Sequence, residues 1–315
     1  MQRVASIIHL DAARRMHLTG KGIGVAILDT GIGYHPDITI PSSRLLAFID
    51  TINHRTDFYD DNGHGTHIAG IIAGNGSASR RQYEGIAPEC HFIMIKVLNQ
   101  RGEGNIDHVL AGIQWLLENH RKYNIRIVNI SVGSSRGKYF DENSPLVTGV
   151  NKLWSAGLVV LTAAGNHGPQ PYSIGAPGNS RKIITVGASD VMQTGNGRDY
   201  SGRGPTRNCI KKPDIVAPGS NIISCQPLSY SYAYPHIYGK AIPTAIPQER
   251  AYQRRSGTSM STPVVSGCIA LLLQQRPYLT NREVKMHLKK TALDLGYDHA
   301  RQGWGLIQLD RLLYF

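Results

Sequence analysis

The sequence predicts an α/β protein built on a doubly wound, mostly parallel sheet with helices on both faces. Three observations predict it. Five short apolar runs are rich in β-branched residues and nearly continuous, as strands covered on both faces are. Segments of helical periodicity lie between them, so strand and helix alternate. The 315 residues, 41% hydrophobic and 18% charged, suffice for one large core, and no linker, low-complexity tract or internal repeat divides them.

Taken in order, the predicted strands are GVAIL (24–28), FIMIKVL (92–98), IRIVNISV (125–132), LVVLTAA (158–164) and IITVGA (183–188). A helix is expected after HGTH, around residues 65–74. IDHVLAGIQWLLENHRKY reads as a second, with Ile106, Val109, Leu110, Ile113 and Leu117 at helical spacing. SPLVTGVNKLWSAG reads as a third, capped by Ser144 with Pro145 at its first position. TSMSTPVVSGCIALLLQQ reads as a fourth, and Pro263 is expected within about its first turn, where a helix tolerates proline. Open parallel sheets bind ligands beyond the carboxyl ends of their strands. That rule gathers Asp29, the Ser131-Val132-Gly133 segment and Asn166 along one edge.

Composition excludes several classes of function. The formal net charge is +12, but the basic residues are scattered in pairs such as Arg80-Arg81 and Lys211-Lys212. No helix carries a dense basic face with interleaved aromatics, so no nucleic-acid partner is expected. A taste for acidic substrates is the more modest consequence of the charge. Cys90, Cys209, Cys225 and Cys268 form no CxxC pair and read as free thiols of a reducing compartment. No apolar run is long enough to span a bilayer, and the first 22 residues lack a secretory signal. GKGIG precedes its strand instead of following it, so it is no phosphate loop.

Four segments carry the chemistry: ILDTGI with Asp29, DDNGHGTHIAG with His64, TAAGNHG with Asn166, and SGTSMSTP with Ser259. A serine hydroxyl needs a base to become a nucleophile, and histidine titrates in the right range. A buried carboxylate fixes the imidazole tautomer and stabilises its cation. A side-chain amide and a backbone N–H at a helix start can hold the oxyanion. Gly63 and Gly65 flank His64, and Gly257 precedes Ser259, as sharp turns and close substrate approach require. HGTH lacks the glutamate and spacing of a zinc-protease helix, so no metal is expected there, and His67 reads as a packed structural histidine.

DTG, NGHGTHIAG, AAGN and SGTSMSTP, in that order, resemble the subtilisin-like serine proteases, the subtilases. KVLNQRGEG, KPDIVAPG and GWGLIQLD are similar to bacterial subtilases of the intracellular type. The resemblance implies a serine endopeptidase of protein or peptide substrates. Asp29 would orient His64, His64 would act as base and then acid, and Ser259 would attack the peptide carbonyl. Asn166 and the Ser259 N–H would form the oxyanion hole. Ser131, Val132 and Gly133 would pair with the substrate backbone as an added strand, faced by Gly102 and Gly104. Ala163, Ala164 and Gly165 would border the pocket for the residue before the cut bond, and their small uncharged character predicts a broad apolar or aromatic preference. The alternative is a catalytically silent subtilase fold used for binding or regulation.

The sequence also departs from the family. Its DTG comes within 30 residues, which predicts a single peptidase domain over 1–315 without a propeptide and, by the resemblance, a bacterial cytoplasmic protein unless a leader or prodomain was removed. No cofactor is expected. Asp37 in YHPDI matches half of a structural calcium site of the family, but the loop GNGSASRRQYEG carries two arginines that would repel the ion. Residues 226–255 form a Tyr/Pro-rich insertion that enters directly before the nucleophile. Oligomeric state is not legible.

Overall fold

The apolar runs form one seven-stranded parallel sheet. In chain order its strands are β1 (Gly24–Asp29), β2 (Leu45–Asp50), β3 (His91–Lys96), β4 (Ile125–Ile130), β5 (Val159–Ala163), β6 (Ile184–Ala188) and β7 (Ile215–Ala217). Side by side they run β2-β3-β1-β4-β5-β6-β7. The structure is a computed structural model that describes residues 1–131, 144–190, 199–228 and 248–315. The chain builds outward from β1 to β3 and β2, then crosses to the other side of β1 with β4. That reversal opens a crevice beyond the ends of β1 and β4. Asp29, paired with Lys96 across the ladder, closes β1 there, and Ser131 follows β4.

Adjacent residues of β1 point to opposite faces, and each face has its own helices. Leu28, with Ile95 and Val97, lies against Gly112 of the helix Ile106–Asn119, which packs on the helix Pro145–Ser155. Asp29 turns the other way, toward the helix His64–Ala73. That helix packs on the long helix Thr258–Gln275, which also crosses β4, β5 and β6. The long helix is buried almost all round, so its apolar run carries no amphipathic stripe. Gln308 donates to the Ile7 carbonyl and Leu309 to that of Ile8, which joins the two ends of the chain.

Ser144 caps its helix as expected, accepting from the Val147 N–H at 3.4 Å, with Pro145 first in the helix. Four features differ from expectation. β2 lies at the sheet edge and is only partly buried, although its run LLAFI is continuously apolar, and the strands expected from the sequence did not include it. β7 is three residues long and ends just before Pro218, too short to show a period. Ile106 is 42% exposed, because it stands at the start of its helix beside the cleft and not over the core. Pro263 lies in the second turn of its helix. Its ring removes the N–H that would serve the Ser259 carbonyl; the Ser131 hydroxyl donates to that carbonyl instead, at 3.3 Å.

The expected 226–255 insertion is anchored more tightly than a loop. Residues Tyr252–Arg255 form β9, antiparallel to β8 (Ile222–Cys225), with Cys225 opposite Tyr252 and Ile222 opposite Arg255. Residues 229–247 of the insertion lie outside the described residues.

Candidate active site

Asp29 and His64 meet where β1 ends and the His64 helix begins. Asp29 is fully buried, and its Oδ1 accepts from His64 Nδ1 at 2.7 Å and from the Thr30 N–H at 2.8 Å. Its Oδ2 has no hydrogen-bond partner among the described residues. Two glycines allow this approach. Gly63 caps the helix at φ +89°, a conformation that favours glycine. A Cβ on Gly65 would come within 2.1 Å of the Gly31 carbonyl oxygen. Asp60 fixes the helix start: Oδ1 accepts from Gly63 N–H at 2.7 Å and Thr30 Oγ1 at 2.9 Å, and Oδ2 from Thr66 N–H at 2.9 Å. A carboxylate there satisfies unpaired helix N–H groups and the positive end of the dipole.

Two further cations shape this corner. Lys96, fully buried at the end of β3, donates through Nζ to the Thr30 and Leu98 carbonyls and to Asp61 Oδ1 at 2.7 Å. It ties the segments that follow β1 and β3 to the turn ahead of the His64 helix. Arg255 closes β9 and donates through Nη2 to the Asn62 carbonyl at 3.1 Å. Burial works hardest against a charge on His64. The charge and hydrogen bond of Asp29 outweigh it, Arg255 opposes and Asp60 assists, and the net effect raises the His64 pKa above its usual value. His67 behaves oppositely: burial first, then the Arg255 and His64 charges, push it down to about 3. Its Nε2 contacts the Ile222 and Gln253 carbonyls at 3.2 Å, so it is the structural histidine the sequence implies.

Ser259 stands in the first turn of its helix, after Gly257. Its Oγ donates to the Ser131 carbonyl at 3.0 Å, so these two serines clasp each other in both directions. Thr258 beside it directs Asn166. The Thr258 N–H and Oγ1 both donate to Asn166 Oδ1, at 2.9 and 3.1 Å, and Oγ1 accepts from Gly165 N–H at 3.2 Å. With the amide oxygen so engaged, Asn166 keeps its Nδ2 donors without a described partner. His64 and Ser259 line one cleft of about 640 Å³ with Ser131, Gly102, Gly104 and Arg255. Leu98, Ile106, Val109 and Leu146 give that cleft an apolar flank. Ala163 and Ala164 are buried at the end of β5, and they and Gly165 stand outside this cleft's lining. Val132 and Gly133 lie outside the described residues.

Asp60, Thr258, Lys96 and Arg255 escaped the sequence reading. Asp60 alone carried a local signal, an acidic residue just ahead of a helix start.

The described residues hold one cluster of metal-ligating types, His35, Asp37 and Cys225, all buried. Protein donors already use its lone pairs. Asp37 Oδ1 accepts from Ala78 N–H at 2.8 Å, and Oδ2 from Tyr252 Oη at 2.8 Å and Cys225 Sγ at 3.7 Å. His35 Nδ1 accepts from the Asp37 N–H, and Nε2 donates to the Ala251 carbonyl at 2.8 Å. Burial pushes the Cys225 thiol well up, so it stays protonated. A calcium ion needs six to eight free oxygens, and this set does not fit one.

Fold and site together define a doubly wound α/β protein with a carboxylate–imidazole pair that shares a cleft with a serine at a helix start. The chain belongs to the subtilase family, whose model matches residues 20–305. It is 44% identical to serine protease AprX of Bacillus subtilis over 281 residues, 86% of this chain and 61% of that protein. It thus spans about three-fifths of AprX's length. It is 33% identical to subtilisin Savinase of Lederbergia lenta over 97% of this chain and 96% of that one. Minor extracellular protease Epr of Bacillus subtilis is 31% identical over 96% of the chain, which spans 40% of Epr. No helix among the described residues is long and apolar enough to cross a membrane.

Proposed function

We propose that the chain is a serine endopeptidase that hydrolyses peptide bonds through an acyl-enzyme. The observation that carries this reading is the 2.7 Å Asp29–His64 contact at the mouth of a cleft that Ser259 also lines. The Ser259 hydroxyl exchanges its Ser131 contact for His64 Nε2 and passes its proton there as Oγ bonds to the peptide carbon. The carbonyl electrons move to an oxyanion held by Asn166 Nδ2 and the Ser259 N–H. Collapse breaks the C–N bond, and His64 returns the proton to the leaving amine. Water then repeats the sequence on the ester. The substrate backbone pairs with Ser131–Gly133 on one side and Gly102–Gly104 on the other, and the pocket beside Ala163–Gly165 takes an apolar or aromatic side chain. A fluorophosphonate should label Ser259 and stop casein cleavage; a folded protein that neither reacts nor cleaves would instead be a silent member of the family.

Asn166→Ala should lower kcat by about 100- to 1,000-fold with little change in KM, a scale set by loss of one such donor in subtilisin itself. A larger rise in KM than fall in kcat would move Asn166 from the oxyanion to ground-state binding. No metal is expected at Asp37. Saturation of Asp37 by Ala78, Tyr252 and Cys225 supports this, so EDTA should shift Tm by less than about 2 °C, whereas a filled site would contribute its binding free energy to stability. The four free cysteines support a reducing, cytoplasmic home.

A further inference from the structure

Asp60 takes no part in the steps above, yet it joins the two segments that carry Asp29 and His64. It lies part-buried in the turn ahead of the His64 helix. Its Oδ1 accepts from the Asn62 and Gly63 N–H groups at 3.1 and 2.7 Å and from Thr30 Oγ1 at 2.9 Å. Its Oδ2 accepts from the Thr66 N–H and Oγ1 at 2.9 and 2.6 Å. The two hydroxyls accept in their turn, each from the opposite segment: Thr30 Oγ1 from the Gly65 N–H and Thr66 Oγ1 from the Gly33 N–H, both at 2.9 Å. Thr30 also places its own N–H on Asp29 Oδ1 at 2.8 Å. The segment that leaves β1 and the first turn of the His64 helix are therefore held together through one carboxylate.

The donor set calls for an ionised acid. Three of these donors are backbone N–H groups, which cannot become acceptors, and between them they reach both oxygens. An asparagine would set its own N–H against Asn62 and Gly63 in one orientation and against Thr66 in the other. Hydrogen bonds to an ionised acceptor are roughly twice as strong as neutral ones, which makes this joint stiff. Asp61 cannot take its place, because it is exposed and pairs with Lys96. Asp60 also acts on His64 by its charge. The other titratable groups facing that imidazole are Asp29 from the end of β1, Arg255 from β9 and His67 from the same helix, which stays neutral. Asp29 and Asp60 favour the imidazolium, and burial and Arg255 oppose it.

We propose that Asp60 is a positioning residue that sets the Asp29–His64 contact by fixing Thr30 and the start of the His64 helix on one carboxylate. The inference rests on the peptidase reading above. Asp60 stands outside the lining of the cleft, so it acts through Thr30 and the Gly63–Thr66 turn and not on the substrate. Displacing a reacting group by about 1 Å can cost about 100-fold in rate. A loosened helix start moves His64 relative to both Asp29 and Ser259, so the loss falls on kcat and spares ground-state binding.

The test measures kcat, KM and the pH profile of peptide hydrolysis for Asp60→Asn, Asp60→Glu and Thr66→Val, with active enzyme counted by fluorophosphonate titration so that misfolded protein does not enter. Asp60→Asn should lower kcat per titrated site by about 10- to 100-fold and change KM by less than about 3-fold. His64 must be neutral to act as base, so losing a charge that favours its cation should move the acid limb of kcat/KM to lower pH. Asp60→Glu keeps the charge and should hold that limb in place while recovering part of the rate. Thr66→Val removes one link and leaves the charge, so it should lower kcat with the limb unmoved; it carries the test alone where Asp60→Asn does not fold. A kcat per titrated site within about 3-fold of the unaltered protein, or a loss carried by KM, overturns this inference and leaves the peptidase reading intact. So does a fall in kcat for Asp60→Asn with its acid limb unmoved. An unaltered, folded protein that the fluorophosphonate does not label removes both.

Discussion

Replacing Ser259 with alanine should remove hydrolysis of casein and peptides by roughly four to six orders of magnitude, a scale set by triad substitutions in subtilisin. The size follows from the role: the neighbouring serines of the same segment are committed elsewhere, and the Ser131 and Thr30 hydroxyls of the cleft donate to the Ser259 carbonyl and to Asp60. Ser261 Oγ is fully buried inside the helix, and Ser266 Oγ is spent on Asn129 and the Thr262 carbonyl. Ser256 accepts from the Asn221 N–H. The fold should barely respond. The Ser259 hydroxyl makes one described hydrogen bond, to a carbonyl that opens on the cleft and can take water instead, so the cost should stay within about 1 kcal/mol. Fluorophosphonate labelling, turnover and Tm measured on the same sample separate the two effects. A variant that keeps more than about one per cent of the rate would mean that the nucleophile lies elsewhere.

Burial on both faces is what made the sheet readable. β1, β5 and β6 are buried along their whole length, and each lies in a nearly continuous apolar run of the sequence. β2 is an apolar run at the edge, only partly buried, and β7 is apolar and buried but three residues long; β9 was concealed in a stretch that reads as insertion because its partner β8 lies 27 residues upstream. Pairing across such a distance leaves no local signal. The site divides along the same line. Asp29, His64, Asn166 and Ser259 sit at strand ends or helix starts, where glycines and chemically suited side chains coincide in short motifs. The groups that hold them were not readable. Thr258 acts on Asn166 across 92 positions, Lys96 reaches back to Thr30 across 66, and Arg255 meets Asn62 across 193. Each is an ordinary residue until the fold brings its partner near. Asp37 illustrates the opposite case: its motif suggested an ion, and only the arrival of Tyr252 from 215 residues away reveals a different partner.

The second large effect should come from Asp29→Asn, at about 10,000-fold in kcat near neutral pH. The change is nearly isosteric, so the loss would report electronic state and not shape. Asp29 Oδ1 takes two donors, His64 Nδ1–H and the Thr30 N–H, while Oδ2 takes none among the described residues. An asparagine that keeps its oxygen toward His64 must bury an unpaired amide nitrogen at the Oδ2 position. Turning the amide over presents N–H to His64 Nδ1 and forces the proton onto Nε2, the atom that must accept from Ser259. Either way the imidazolium formed during attack loses its compensating charge. The pH profile gives a second, independent reading. His64 must be neutral to act as base, so activity falls as pH drops through its pKa, which Asp29 raises against burial and Arg255. Removing the carboxylate's charge leaves those two opposing influences with Asp60 and a weakened partner, and the acid limb of kcat/KM should move to lower pH while its plateau collapses. A lowered plateau with the limb unmoved would place Asp29 outside direct contact with the titrating base and would contradict the 2.7 Å geometry.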